Sequence, residues 1–320
     1  MFAKIIPVAL LAMGLLLPTN ASAASLAGEM RYGSKVPVVP MAEWEILQTG
    51  RGEQTGARIL IAAGDKELAK APANAVRYDS QTFSFPSGEI RVLKFRKAAG
   101  GVLHQITSET QLYVASGSAS VDVAGARTEL QAGDVVNLPS GVLRTAAAGA
   151  EDTTVILYTI KSTVKDPKAV VVRGKDNPPA VIEAGEKAGE GPAKVSVQRY
   201  AYDGNSIRVA RLSGPGRNAT AVPKVDALIY LLSGRMNLHL GDEVFEVKAG
   251  DALREPAGSV TWLIWIESPI SRPLSEILIS SGIKAASQTS SRSWRTMLST
   301  APRFMPGDVS SSMKCTGTFT

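Results

Sequence analysis

The chain holds two histidines, His104 and His239, and one cysteine, Cys315. Acid–base and metal chemistry therefore have few places to reside. An imidazole titrates near neutrality, so His104 can serve as a general acid or base. Gln105, Glu109, Thr110 and Gln111 follow just downstream, and Arg144 stands further on. The planar guanidinium of Arg144 matches a carboxylate, sulfate or phosphate through two parallel hydrogen bonds. Thr110, Gln105 and Gln111 can add hydrogen bonds to the same ligand. Each residue also has a plainer reading: a hydrogen-bonded histidine for His104, an ion pair for Arg144, and solvent for Gln105 and Gln111. A lone imidazole does not make a tight metal site. No Gly-x-Ser-x-Gly elbow, Walker loop, His-Glu-x-x-His or Cys-x-x-Cys occurs.

The elements around these residues read as short strands: 90–95, 111–115, 119–123, 127–130, 135–138, 143–146 and 153–159. Gly100-Gly101, Ser116-Gly117, Gly125, Gly133-Asp134, Pro139-Ser140-Gly141 and Gly149 separate most of them. Such spacing predicts an all-β sandwich or barrel. The pattern occurs twice. At an offset of 117 positions, Ile90-Arg91-Val92 meets Ile207-Arg208-Val209, and Tyr113 to Gly117 meets Tyr230 to Gly234. Ala132-Gly133-Asp134 meets Ala249-Gly250-Asp251, and Pro139-Ser140-Gly141 meets Pro256-Ala257-Gly258. An internal duplication of one β unit is the expectation. It divides the chain into an N-terminal arm with first strands (24–80), a first repeat (81–160), a linker (161–194) and a second repeat (195–283). Within the arm, 41–48 and 58–63 read as strands and 65–75 as a short helix; within the linker, 169–172 reads as an edge strand.

Residues 1–23 combine Lys4, an apolar run from Ile5 to Leu17 and an Ala21-Ser22-Ala23 cleavage pattern. This is a secretory signal peptide, so a periplasmic or secreted protein is expected, without stable membrane insertion after cleavage. One cysteine permits no intrachain disulfide. The formal charge of +6 comes mostly from the ends. Removing Lys4, and the five bases and one acid of 284–320, from 35 basic and 29 acidic residues leaves 29 and 28. A nearly neutral body does not indicate nucleic-acid binding. The Ser/Thr-rich segment 284–320 sustains no period and is read as a disordered tail.

The doubled pattern resembles the cupin superfamily, specifically bicupins. The second cupin block is Gly, five residues, Pro-x-Gly, two residues and often His. Gly133, Pro139, Gly141 and Arg144 fit its spacing, as do Gly250, Pro256, Gly258 and Thr261. The Gly that closes the first block is Gly117, and Gly234 in the second copy. The resemblance implies two tandem jelly-roll (double-stranded β-helix) barrels. It also implies four ligand positions inside each barrel, which in metal-bearing cupins hold three His and one Glu. Those positions fall on His104, Ile106, Thr110 and Arg144 in the first copy, and on Ala221, Pro223, Ala227 and Thr261 in the second. Glu109 is one residue out of register and becomes a ligand only through a bulge. His239 falls on a different strand from the ligand positions.

A metal-free pocket follows, in which His104, Thr110 and Arg144 face one cavity and favour an anion. The second barrel reads as apolar and structural. Tyr113 and Tyr230 alternate with the inward Thr110 and Ala227 and should pack between sheets or subunits. The leading expectation is an exported bicupin that binds a small molecule without a cofactor, or serves as an accessory module. One alternative is a metal-independent isomerase, epimerase or lyase on a sugar or organic acid, with His104 as acid/base. Another is an oxidoreductase with a divalent metal at a degenerate site of His104 and Glu109. A homodimer through barrel edges is the expected assembly, since edge strands need cover.

Overall fold

In the computed structural model, residues 29–282 are described, except 51–52, 98–100, 107, 124–125, 147–150, 161–168, 184–193, 203–204, 214–215, 218–221 and 266–273. The expected leader and the 284–320 tail, with Cys315, lie outside the described residues.

The described residues are mostly strand. Met30–Arg31 (β1) comes first, then the hairpin Val38–Gly50 (β2) and Glu53–Ala63 (β3), then one helical turn, Asp65–Leu68 (α1). The first repeat supplies Val76–Phe85 (β4), Gly88–Phe95 (β5), Gly101–Ile106 (β6), Thr110–Ser116 (β7) and Ser118–Val123 (β8). It continues with Ala126–Gln131 (β9), Val135–Leu138 (β10), Gly141–Ala146 (β11) and Thr153–Ile160 (β12). Val170–Val172 (β13) and Ala180–Glu183 (β14) follow in the expected linker. The second repeat supplies Lys194–Tyr202 (β15), Asn205–Ser213 (β16), Gly216–Arg217 (β17), Ala227–Ser233 (β18) and Arg235–Leu240 (β19). Glu243–Lys248 (β20), Ala252–Glu255 (β21), Thr261–Trp265 (β22) and Leu274–Gly282 (β23) complete it. The strand β6 has no counterpart among the strands expected from the sequence.

Two large sheets carry the architecture, ordered β13-β10-β7-β12-β5-β4-β2-β3 and β1-β21-β18-β23-β16-β15-β14. Each is closed by a four-stranded sheet, β6-β11-β8-β9 or β17-β22-β19-β20. The period-2 alternation decides what goes where. In β7, Leu112 and Val114 turn into the first barrel with Ala119, Val121, Leu130, Val136, Leu138 and Val155. In β18, Ile229 and Leu231 turn into the second with Leu212, Met236, Leu238, Phe245 and Ile277.

The other face of each large sheet packs against its counterpart. Phe83, Ile90, Val92, Tyr113, Val135, Ile156 and Tyr158 meet Tyr200, Ile207, Val209, Leu228, Tyr230, Ala252 and Leu278 in one cluster. Tyr113 and Tyr230 thus pack between sheets, as their parity requires. Each large apolar side chain buried here contributes about 1.5–3 kcal/mol relative to exposure.

The chain also crosses between the barrels. β1 pairs with β21 of the second barrel, although it leads into the strands of the first. β13 pairs with β10 of the first barrel, although it leads into the strands of the second. Both hooks end in the same device. The carboxylate of Asp251 accepts the Gly33 N–H at 2.7 Å, and that of Asp134 accepts the Gly174 N–H at 2.8 Å. Gln81 Nε2 then donates to the Gly33 and Val36 carbonyls, and Gln198 Nε2 to those of Gly174 and Asn177. Gly33 and Gly174 lie so close to the opposite turn that a Cβ would stand 2.3 Å from the Gly250 oxygen or 2.5 Å from the Gly133 oxygen.

Candidate functional site

The mouth of the first barrel is built by three neighbouring strands in register. Thr159 of β12 pairs with Glu89 of β5 on one side and Thr110 of β7 on the other. Thr110 is buried; its hydroxyl donates to the Ser108 carbonyl at 3.1 Å and lies 3.4 Å from the Thr159 hydroxyl. One step along β5, Arg91 pairs in register with Leu157 and shares the barrel-side parity of Leu93, opposite Ile90 and Val92. Its guanidinium reaches the Glu89 carboxylate at 2.8 Å, and both side chains are partly open to solvent. A guanidinium offers five donors, so one carboxylate does not exhaust it. Polar donors thus ring the end of an apolar barrel, which can hold a small ligand with an anionic or hydroxyl-bearing group.

His104, Gln105 and Arg144 are placed by backbone register, their side chains lying outside the described residues. In the β6–β11 ladder, Leu143 pairs with His104, Val142 with Gln105 and Arg144 with Leu103. Directly paired residues share a face. Through β8, positions 143 and 145 share their face with Val123 and with Val121 of the barrel core. Position 104 is therefore on the barrel side, and positions 105 and 144 are on the other, where Arg144 pairs with Asp122. By register, then, positions 104 and 144 fall on opposite faces of this sheet.

Gln111 and Glu109 leave the site altogether. Gln111 has the parity of Tyr113 and is fully buried between the barrels, where its Oε1 accepts from Ser280 Oγ at 2.6 Å. Glu109 is 2% exposed and accepts from Asn205 Nδ2 of the second barrel at 2.7 Å. From Thr110 to Tyr113, β7 keeps an unbroken register with β10. Of the four ligand positions that the resemblance implies, Thr110 alone has a described side chain; those of His104, Ile106 and Arg144 lie outside the described residues. His239, half-buried in β19, alternates with the inward Leu238 and Leu240 and faces away from the second barrel's core.

The second barrel is not purely apolar. Arg208 of β16 pairs with Arg199 of β15 and with Ile279 of β23, on the barrel side. Burial, reinforced by the nearby Arg199 charge and partly offset by Glu255, pushes the Arg208 guanidinium down to about 10. Glu255 pairs in register with Ala227 at the barrel mouth. The signal for Arg91 and Arg208 was present in the repeated Ile-Arg-Val triplet, where the arginine stands between two interface residues and therefore points inward in both copies.

No protein-family model and no curated protein matches the sequence. Solved structures do. AerE from Microcystis aeruginosa is similar at a TM-score of 0.54 and 11% identity, covering 65% of this chain and 93% of that one. A protein described as glyoxylate-induced from Pseudomonas aeruginosa gives 0.50 and 16%, over 82% of this chain and 87% of that one. The fold is the cupin fold. A mutant of Bacillus subtilis oxalate decarboxylase gives 0.49 and 13%, over 69% of this chain and 77% of that one. At these identities the likeness covers architecture alone.

Proposed function

We propose that the protein is an exported bicupin that binds a small, anion-bearing molecule in the mouth of its first barrel without a metal. The observation that carries this reading is the row Glu89–Thr159–Thr110 with Arg91 beside it, facing the barrel end that His104 also reaches by register. Arg91 replaces Arg144 as the group that holds the anion, and Thr110 and Thr159 orient it. Glu89 holds the guanidinium in place.

The test is calorimetric titration of the mature protein with acetate, malonate and succinate. Binding should weaken about tenfold or more in Arg91→Ala, as for loss of a charged hydrogen bond. Arg144→Ala should bind as wild type does. Equal affinity in wild type and Arg91→Ala overturns the site. Elemental analysis of the purified protein accompanies it, and near-stoichiometric Mn, Fe, Ni, Cu or Zn defeats the metal-free reading.

A second reading rests on the barrel-side position of His104. The same mouth then serves a metal-independent isomerase, epimerase or lyase, with His104 moving a proton on a ligand held by Arg91. Turnover of a sugar or organic acid that vanishes in His104→Ala while binding persists would favour the enzyme.

A further inference from the structure

The two halves of the chain do not match where the first begins. Gly33 and Gln81 of the first hook are 48 positions apart, whereas Gly174 and Gln198 of the second are 24 apart. The extra residues form the β2–β3 hairpin and α1, which pack on one end of the first barrel's large sheet. They enclose an open pocket of about 380 Å³.

Its lining has two characters. Pro40, Met41, Leu68, Ala75 and Tyr78 are apolar, whereas Arg77, Lys94, Arg96 and Lys97 bring four cations against the single carboxylate of Asp79. Asp79 stands opposite Lys94 in register, and Asp152 accepts the Lys97 N–H at 2.9 Å. The positive surplus therefore survives both acids. Arg77 is anchored by donating to the Ala71 carbonyl at 3.4 Å. On the opposite face of the sheet the Tyr78 hydroxyl donates to the buried carboxylate of Glu43, and the ring stacks at a tilt 5.0 Å from Phe95, which holds β4 in place. In the second half the cationic cluster is dispersed: Arg211, matching Lys94, pairs with Glu276 at 2.8 Å, and Ser213 matches Arg96.

We propose that this pocket is a second ligand site, for an amphipathic anion with a short apolar body and a carboxylate or phosphate head. Pro40, Leu68 and Ala75 take the body, and Lys94 and Arg96 take the head. The head-binding pair stands about 10–16 Å along β5 from Arg91, with Lys94 on the other face of the sheet, so the site operates independently of the function proposed above.

Calorimetric titration of the mature chain with octanoate and with octyl phosphate tests it, using octanol and inorganic phosphate as half-ligands. Both octyl anions should bind saturably, and each half-ligand at least about tenfold more weakly. The exposed double variant Lys94→Gln/Arg96→Gln should lose about tenfold in affinity for the octyl anions. Arg91→Ala should retain that affinity, which separates this site from the barrel mouth. Absence of saturable binding, an unchanged double variant, or inorganic phosphate binding as tightly as octyl phosphate overturns the proposal.

Discussion

Gln111 and Glu109 show how one step along a strand changes a residue's task. Both flank Thr110, which turns into the barrel, while they turn into the seam between the barrels. There Gln111 accepts the Ser280 hydroxyl and Glu109 holds Asn205. Gln111→Ala should therefore cost about 1–2 kcal/mol of stability, because Ser280 loses its buried acceptor. Carboxylate binding to the same variant should be unchanged; denaturant unfolding and calorimetry together check this. Gly174→Ala should cost more, about 1–3 kcal/mol, since its Cβ would meet the Gly133 oxygen at 2.5 Å. The inward turn of Thr110 was legible through the family resemblance, and the outward turn of Tyr113 through period 2 relative to it. The partners of Gln111 and Glu109 were not, because Ser280 and Asn205 lie far away in the chain and nothing local announces them.

Of the two hooks, β13 was legible as the edge strand 169–172, whereas β1, two residues long, is too short for any period to register. The partner of neither was legible. The extra hairpin after β1 also breaks the 117-residue offset that aligns the rest. Their anchoring aspartates did stand in the alignment, as Gly133-Asp134 and Gly250-Asp251, and read there as turn residues only. Asp134 ties three groups, the N–H groups of Gln131 and Gly174 and the Arg173 guanidinium at 2.7 Å. Asp134→Ala should loosen the β13 hook and speed proteolysis in the linker relative to wild type. A second anchor beside β1 is acid-sensitive. Burial pushes the Asp226 carboxyl up, but the Ala257 N–H and Arg254 outweigh it and leave it below its ordinary value. A depressed carboxyl contributes stability that is present above the unfolded value near 4 and is lost as pH falls through its folded value. Arg254 also holds Glu29 at 2.6 Å, so acid should release the start of β1. Hydrogen exchange at Met30 and Arg31 should accelerate below about pH 4, and Asp226→Asn should remove that dependence.

At the scale of the whole molecule, the seam between the barrels is the largest shared apolar element and is rich in tyrosine. Tyr113, Tyr158, Tyr200, Tyr202 and Tyr230 all belong to it. Burial raises each phenol, Tyr113 to about 12. A group raised on folding stabilises fully below its unfolded value, near 10 for Tyr, and loses that contribution as pH climbs through the folded value. Unfolding free energy should therefore decline above about pH 10, with phenolate absorbance rising in step with loss of the seam. A gradual titration at the ordinary tyrosine value, with the fold intact, would contradict this. The all-β architecture and the doubled scaffold were legible in glycine, proline and strand spacing. The seam's tyrosines were legible only as parity, since two inward-and-outward strands do not say which outward faces will meet.

The exchanged hooks have a consequence for the chain's continuity. Each half reaches across and completes a sheet of the other, so the information needed to rejoin them does not reside in the peptide that links them. A chain cut between Ile160 and Val170, ahead of β13, should behave as two complementary fragments. Co-expressed, they should copurify and reconstitute one particle, whereas the fragment without its counterpart should expose the tyrosine-rich seam and aggregate. The connection between the halves then sets their ratio and proximity, and recognition is written into the surfaces themselves.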